Sequence, residues 1–158
     1  MRAGSLLVLA AIAALALAPA ADGMTRKRLI DRSATICANA DRAMQPYDDR
    51  ANAAAQRRDW DAFVRWARKG ISTGQPYIRR LAALDPPRRG REHYVDFISY
   101  TKTFVGWLDA MVDAIAARRS EEVVDRRGRK ASRFRSRAQR AARAYPLRRA
   151  CVRMLAEN

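Results

Sequence analysis

The sequence predicts an all-α protein whose helices form an antiparallel up-down-up-down four-helix bundle. Four stretches carry apolar residues at alternating spacings of three and four, which is the period of an amphipathic helix. No stretch alternates apolar and polar residues in the way that a half-buried strand does. The linkers between the four stretches are only a few residues long, so consecutive helices are expected to be antiparallel neighbours.

Residues 1–20 are predicted to be a secretory signal peptide, followed by a bundle domain at 21–158. Leu6–Leu17 is an unbroken apolar run with a positive charge before it and small residues after it. The run is shorter than the roughly 20 apolar residues of a membrane span. Two alternatives stay open: an uncleaved signal-anchor, favoured by the basic residues at 26–28, and a translation start at Met24.

The first helix is expected to be kinked and the second to be weakened near its middle. The first stripe runs from Ile30 to Ala54, where Pro46 predicts a kink. The second begins after Asp59, a suitable N-cap residue, and runs to Leu81. Three residues near its middle disfavour a straight helix: Gly70, Gly74 and Pro76.

The third helix has the clearest pattern. Asp85 precedes two prolines, which predicts an N-cap followed by proline in the first turn, and the apolar stripe then runs from Tyr94 to Ile115. Ser120, followed by two glutamates, predicts the start of the fourth helix. Pro146 interrupts the stripe of that helix near the end of the chain.

Composition limits both the core and the chemistry. The chain is 49% hydrophobic, but 32 of its 158 residues are alanines. We therefore expect closely spaced helices, with the tryptophans and phenylalanines filling the gaps between them. One histidine and two cysteines are too few for a zinc ribbon, a histidine-rich metal centre or a multi-disulfide scaffold. Few glycines and no glycine-rich loop argue against a nucleotide-binding sheet.

The two cysteines are predicted to form a disulfide. Cys37 lies near the start of the first helix and Cys151 near the end of the fourth, and these two ends share one pole of an antiparallel bundle. Two cysteines usually pair in an oxidising compartment, which fits export. The bond would close a loop of about 115 residues. Two buried free thiols are the alternative.

The sequence contains no recognisable catalytic constellation, and we expect a non-enzymatic protein without catalytic, cofactor-binding or metal-binding residues. His93 is the only imidazole, and the serines lack the context of a nucleophile. The motifs of covalent haem attachment, di-iron bundles and zinc helices are missing.

The aspartates are expected to form ordinary ion pairs with nearby arginines rather than to act as acid/base pairs. Asp48 and Asp49 are adjacent, and Asp109 and Asp113 lie four residues apart on the third helix. The latter two are expected to meet arginines of the fourth helix: Arg135 or Arg137.

The positive charge is concentrated in the last predicted helix. The chain has 32 Lys and Arg against 16 Asp and Glu, and residues 118–153 hold 14 of the basic residues with only three acids. Arginine can bind phosphate through two parallel hydrogen bonds, so one strip of this helix is a candidate polyanion-binding surface. It consists of Arg129, Arg133, Arg137 and Arg140. The alternative is a solvated helix whose arginines reflect GC-rich coding.

Export favours anionic cell-envelope polymers or a lipid surface as partners over nucleic acid. The aromatic residues fall on the apolar stripes, which leaves no platform for stacking bases. A second hypothesis is a bundle that binds a small apolar ligand or haem between its helices. In that hypothesis His93 and the aromatic residues of the helix seams line the site.

Four short motifs are distributed over most of the chain after the signal peptide. They are Ile-Cys-Ala-Asn-Ala at 36–40, Leu-Asp-Pro-Pro at 84–87, Ala-Arg-Arg-Ser-Glu-Glu at 117–122 and Arg-Ala-Cys at 149–151. With the signal peptide, this pattern resembles a group of small exported helical-bundle proteins of unknown function found in high-GC bacteria. The resemblance implies a disulfide-closed bundle in the cell envelope or outside the cell, and it implies no catalytic residue.

Overall fold

The structure, a computed structural model, describes residues 24–155. The predicted signal peptide lies outside this part of the chain, and the predicted bundle domain is described from Met24 to Leu155. The described residues form five helices and no strand: α1 (Arg26–Gln56), α2 (Trp60–Ala82), α3 (Arg91–Ala116), α4 (Glu121–Ala144) and α5 (Arg149–Arg153). The predicted all-α class is confirmed. No helix of the described part is long and apolar enough to cross a membrane.

Consecutive long helices pack against each other, α1 on α2, α2 on α3 and α3 on α4. Within each pair, residues further along one helix contact residues further back in the other. In α3 and α4, for example, the ring of Tyr100 lies 6.3 Å from that of Phe134, whereas Trp107, further along α3, contacts Lys130, further back in α4. Helices α1 and α4 make no close backbone contact within the described residues, and the short α5 packs on both. A closed up-down-up-down bundle stays a prediction.

Two helix starts lie where the sequence predicts them. The Asp59 side chain accepts a hydrogen bond of 3.0 Å from the Ala62 N–H and caps α2. Ser120 takes the N-cap position of α4, although its side chain makes no capping hydrogen bond. The two glutamates that follow lie in the first turn of α4, where they suit the positive end of the helix dipole.

The predicted start of the third helix is wrong. Helix α3 begins at Arg91, and its N-cap is Gly90 with a φ of 79°. A residue that precedes proline is pushed out of the helical region, and both Asp85 and Pro86 precede prolines. The chain therefore stays extended through the prolines and turns at Gly90, where glycine tolerates the left-handed conformation. Asp85 forms an ion pair of 3.0 Å with Arg91 instead of capping the helix.

The largest buried side chains gather at one pole of the molecule. This pole contains the start of α1, the end of α2, the start of α3, the end of α4 and the whole of α5. The fully or almost fully buried residues with the largest side chains there are Leu29, Leu81, Tyr94, Phe97 and Tyr145. A second, smaller cluster, centred on Val64, Ile71 and Val112, packs α2 against α3.

The tryptophans do not fill the gaps between helices, contrary to expectation. Trp60 is 50% exposed, and Trp66 and Trp107 are half-buried at the flanks. Basic side chains cover the latter two: the guanidinium of Arg50 lies 4.6 Å from the Trp66 ring, and the ammonium of Lys130 lies 4.2 Å from the Trp107 ring.

A disulfide joins Cys37 to Cys151, as the sequence predicts. Both residues are fully buried, and their Cα atoms lie 4.9 Å apart. The expected position of Cys151 at the end of the fourth helix is wrong, because α4 ends at Ala144 and Cys151 lies on α5. Pro146 separates these two helices, since proline cannot continue α4. The disulfide therefore ties α5 to α1.

The predicted partner of Asp113 is also wrong. Its carboxylate forms an ion pair of 2.8 Å with Arg68 of α2, not with an arginine of α4. The position of Asp113 on α3 directs its side chain toward α2. From α4, Arg127 instead donates a hydrogen bond to the backbone carbonyl of Ala110.

Candidate functional site

The four arginines predicted as a polyanion site lie along one side of α4. Arg129, Arg133, Arg137 and Arg140 are separated by three or four residues, so their side chains follow one another on the helix surface. Arg137 is half-buried and the other three are exposed. The core-facing side of the helix is alanine-rich, with Ala131, Ala138 and Ala142 buried. We call the four arginines the arginine strip.

Acidic neighbours neutralise little of the arginine strip. Arg129 pairs with Asp125 at 3.9 Å, and both side chains are exposed, so this ion pair is weak. No Asp or Glu of the described residues forms an ion pair with Arg133, Arg137 or Arg140. The charge of these three guanidinium groups is thus not offset by a contacting carboxylate of the described residues. Most of their N–H groups can donate hydrogen bonds to a ligand.

Aromatic rings hold Arg137 in place. Its guanidinium carbon lies 5.3 Å from the centroid of the Phe134 ring and 5.9 Å from that of the Tyr100 ring. These are cation–π distances. Arg137 therefore has a restricted position on the side of α4 that faces α3, whereas its strip neighbours extend into solvent.

A shallow groove runs between α3 and α4 beside the arginine strip. It is lined by His93, Asp96 and Tyr100 of α3 and by Arg137 and Arg140 of α4. The Nε2 atom of His93 lies 3.8 Å from the Glu92 carboxylate, and the side chain is about half exposed. The groove places the only imidazole of the chain beside two arginines of the strip.

A second concave site, the apolar cleft, lies between α1, α2 and α3, with Met154 and Leu155 at its edge. Its volume is about 270 Å³. Apolar side chains form most of the lining, among them Met44, Phe63, Ile71, Phe104, Val105 and Leu108. Helix α4 contributes no lining residue, in keeping with its lack of close backbone contact with α1.

From the sequence, His93 is expected to line a ligand site between the helices, but it does not line the apolar cleft. His93 lies near the start of α3 and lines the surface groove, and no histidine lines the cleft. A haem ligated by His93 therefore does not fit this cleft. Two phenylalanines do line it, as expected of aromatic residues at the helix seams: Phe63 and Phe104.

The apolar cleft contains one ionisable side chain, that of Asp48. Its Oδ1 atom lies against α2, where a Cβ atom added to Gly70 would be 3.2 Å from it. The expected ion pair with an arginine is missing: Asp48 has no hydrogen-bond or ion-pair partner among the described residues. Burial, together with the carboxylates of Asp49 and Asp41, raises the pKa of Asp48 to about 6.

Close contact between α1 and α2 shapes this cleft. A Cβ atom on Gly74 would lie 2.6 Å from the Met44 sulfur, so the two helices approach each other where the glycines leave room. The sequence carries a signal for this arrangement. Gly70 and Gly74 are four residues apart on one face of α2, and Asp48 follows Met44 by four residues, which puts a carboxylate next to the apolar stripe of α1.

Comparison with known proteins gives no match: no family model fits the chain, and no curated protein or solved structure is similar to it.

Proposed function

We propose that this chain is an exported, non-enzymatic helical-bundle protein that binds anionic polymers or an anionic lipid surface of the cell envelope through the arginine strip of α4. The observation that carries the proposal is the arrangement of the strip. Four arginines share one side of a helix and three of them are exposed; within the described residues, only Arg129 has an acidic partner, at 3.9 Å.

The physical basis of the proposed binding is electrostatic. The strip spans about 16 Å of helix at 1.5 Å per residue, which is long enough to meet several phosphates of an extended polymer. Each guanidinium can donate two parallel hydrogen bonds to a phosphate, and each contact releases condensed counterions. The net charge of the chain, +16, adds a long-range attraction that salt screens.

Two features support a location in the cell envelope. The disulfide between Cys37 and Cys151 is of the kind that persists in oxidising compartments. The apolar run at 6–17, preceded by a positive charge, is typical of a signal peptide. An uncleaved signal-anchor would hold the same basic surface next to a membrane, where anionic headgroups attract arginine.

The proposal is tested by sedimentation of the oxidised protein with vesicles. We expect binding to phosphatidylglycerol vesicles at low salt, loss of that binding at high salt, and no binding to phosphatidylcholine vesicles. A variant with all four strip arginines changed to Gln should lose most of the binding. Absence of binding to anionic vesicles and to soluble polyphosphate at low salt would reject the proposal.

A matched control separates the strip from net charge. Four exposed arginines outside α4 can be changed to Gln with the same loss of charge: Arg32, Arg57, Arg79 and Arg88. The control variant should retain most of the binding. If both variants lose it equally, the charge of α4 is compositional and the strip is not a site.

A further inference from the structure

We infer that the apolar cleft between α1, α2 and α3 is a binding site for a small amphiphilic cation, whose apolar body lies against the cleft lining and whose ammonium group pairs with Asp48. This inference concerns a surface separate from the arginine strip, and it does not rest on the proposed function.

The size and lining of the cleft define the body of the ligand. Its volume of about 270 Å³ lies just below the range of typical small-molecule sites, roughly 300–1,000 Å³. That is the bulk volume of roughly nine water molecules at about 30 Å³ each, so the body of the ligand is small. Phe63, Phe104 and Leu108 offer apolar contacts from two helices, so an unbranched alkyl chain or a single ring fits the lining.

Asp48 defines the charge of the ligand. Its carboxylate is half-buried, lines the cleft and has no hydrogen-bond or ion-pair partner among the described residues. A partly desolvated carboxylate is costly unless a cation or hydrogen-bond donors compensate it. A bound ammonium group would supply the missing partner.

The arginines nearest to Asp48 in the chain are engaged elsewhere. The guanidinium of Arg50 lies over the Trp66 ring at 4.6 Å. Arg42 donates a hydrogen bond of 2.6 Å to the side-chain oxygen of Asn39. On the same helix, Asp41 and Asp49 add negative charge close to Asp48. The mouth of the cleft is therefore locally acidic on a molecule that is basic as a whole.

This contrast makes the ligand class testable with three probes of equal chain length: octylamine, 1-octanol and octanoate. The net charge of the protein favours octanoate at any non-specific surface site, whereas the cleft favours the amine. By isothermal titration calorimetry at about pH 8, we expect octylamine to bind roughly tenfold or more tightly than octanol, the gain expected of a charge-assisted hydrogen bond. Octanoate should bind most weakly.

Three variants locate the site. Asp48→Asn should bring octylamine down to the affinity of octanol, whereas Asp49→Asn, which removes an exposed carboxylate outside the cleft lining, should keep most of the preference. Ala67→Phe places a ring in the cleft and should abolish the binding of both ligands. Equal affinity for amine and alcohol in the unmodified protein, tighter binding of octanoate, or no binding of any probe would overturn the inference. So would octylamine binding that survives Ala67→Phe.

Discussion

The rings of Tyr94 and Tyr145 pack edge to face with their centroids 5.5 Å apart, yet within the described part of the chain only the hydroxyl of Tyr94 is hydrogen-bonded. The Tyr94 hydroxyl donates to the carbonyl of Leu81 at 2.9 Å and accepts from the hydroxyl of Ser33 at 3.4 Å. The buried hydroxyl of Tyr145 has no partner among the described residues. The carbonyl oxygen of Ser33 also lies 3.5 Å from the Cys151 sulfur. This cluster links α1, α2, α3 and α5 at one pole.

The two tyrosines should respond differently to loss of the hydroxyl. Tyr94→Phe leaves Ser33 without its buried acceptor and should lower the free energy of unfolding by about 1–3 kcal/mol. Tyr145→Phe removes a buried hydroxyl that lacks a partner and should be neutral or slightly stabilising. Urea unfolding of both variants checks this pair. A larger loss in Tyr145→Phe than in Tyr94→Phe would contradict the assignment of the hydrogen bonds.

Reduction of the disulfide should destabilise the whole pole. The bond joins residues 114 apart in sequence, and in the chain-entropy model a loop of this length is worth nominally about 5 kcal/mol, with measured losses more often about 2–5 kcal/mol. The double variant Cys37→Ser, Cys151→Ser should show this loss in denaturant unfolding, and added reductant should not change it further. Equal stability of the oxidised protein and the variant would mean that the bond does not constrain the chain.

Two glycines form a matched pair for the contact between α1 and α2. A Cβ atom added to Gly106 would meet open space, so Gly106→Ala should stabilise α3 by up to about 1 kcal/mol through helix propensity. A Cβ atom on Gly74 would lie 2.6 Å from the Met44 sulfur, so the end of the Met44 side chain must shift, and Gly74→Ala should stabilise the chain less than Gly106→Ala despite the same gain in propensity. Thermal unfolding of both variants measures the difference. Equal stabilisation by the two changes would contradict a tight contact between the Met44 side chain and Gly74.

The pKa of Asp48 makes stability depend on pH in an unusual direction for a carboxylate. In the folded chain the pKa of this carboxyl is raised from 3.8 to about 6. Its contribution to the free energy of unfolding is therefore fully present below about pH 4, and it is lost as the pH rises through about 6 and the half-buried carboxyl ionises. Solvent screening of this half-buried group limits the effect to about 1 kcal/mol. Asp48→Asn should therefore raise the free energy of unfolding at pH 8 and not near pH 4. An equal change at both pH values, or the same change in Asp49→Asn, would contradict the burial of Asp48.

Local signals in the sequence predict much of the fold, because they act over one or two helical turns. The cap at Asp59, the break at Pro146 and the apolar periodicity each depend on near neighbours, and the structure agrees with them. The predicted start of α3 is wrong because two rules compete there. Proline in a first turn favours a helix, but consecutive prolines hold the preceding residues extended, and the second effect wins at Asp85.

Features that depend on how helices pair are not predictable from one sequence. The partner of Asp113 lies on α2, and the acid at Asp48 has no ion pair among the described residues, because both outcomes depend on helix rotation and not on spacing along the chain. The apolar cleft likewise exists because α4 packs on α3 and not on α1. The arginine strip could be predicted, since its geometry depends only on the helical repeat within α4.

The salt dependence of polyanion binding tests the central claim most directly. The affinity of the oxidised protein for inorganic polyphosphate should be measured over a range of salt concentrations for the unmodified chain, the strip variant and the matched control. With about 0.7 counterions released per phosphate contact, as found for single-stranded nucleic acids, loss of four contacts should make the slope of log affinity against log salt shallower by roughly 3 in the strip variant. The control should keep nearly the full slope. Equal slopes for the two variants would contradict a polyanion site on α4.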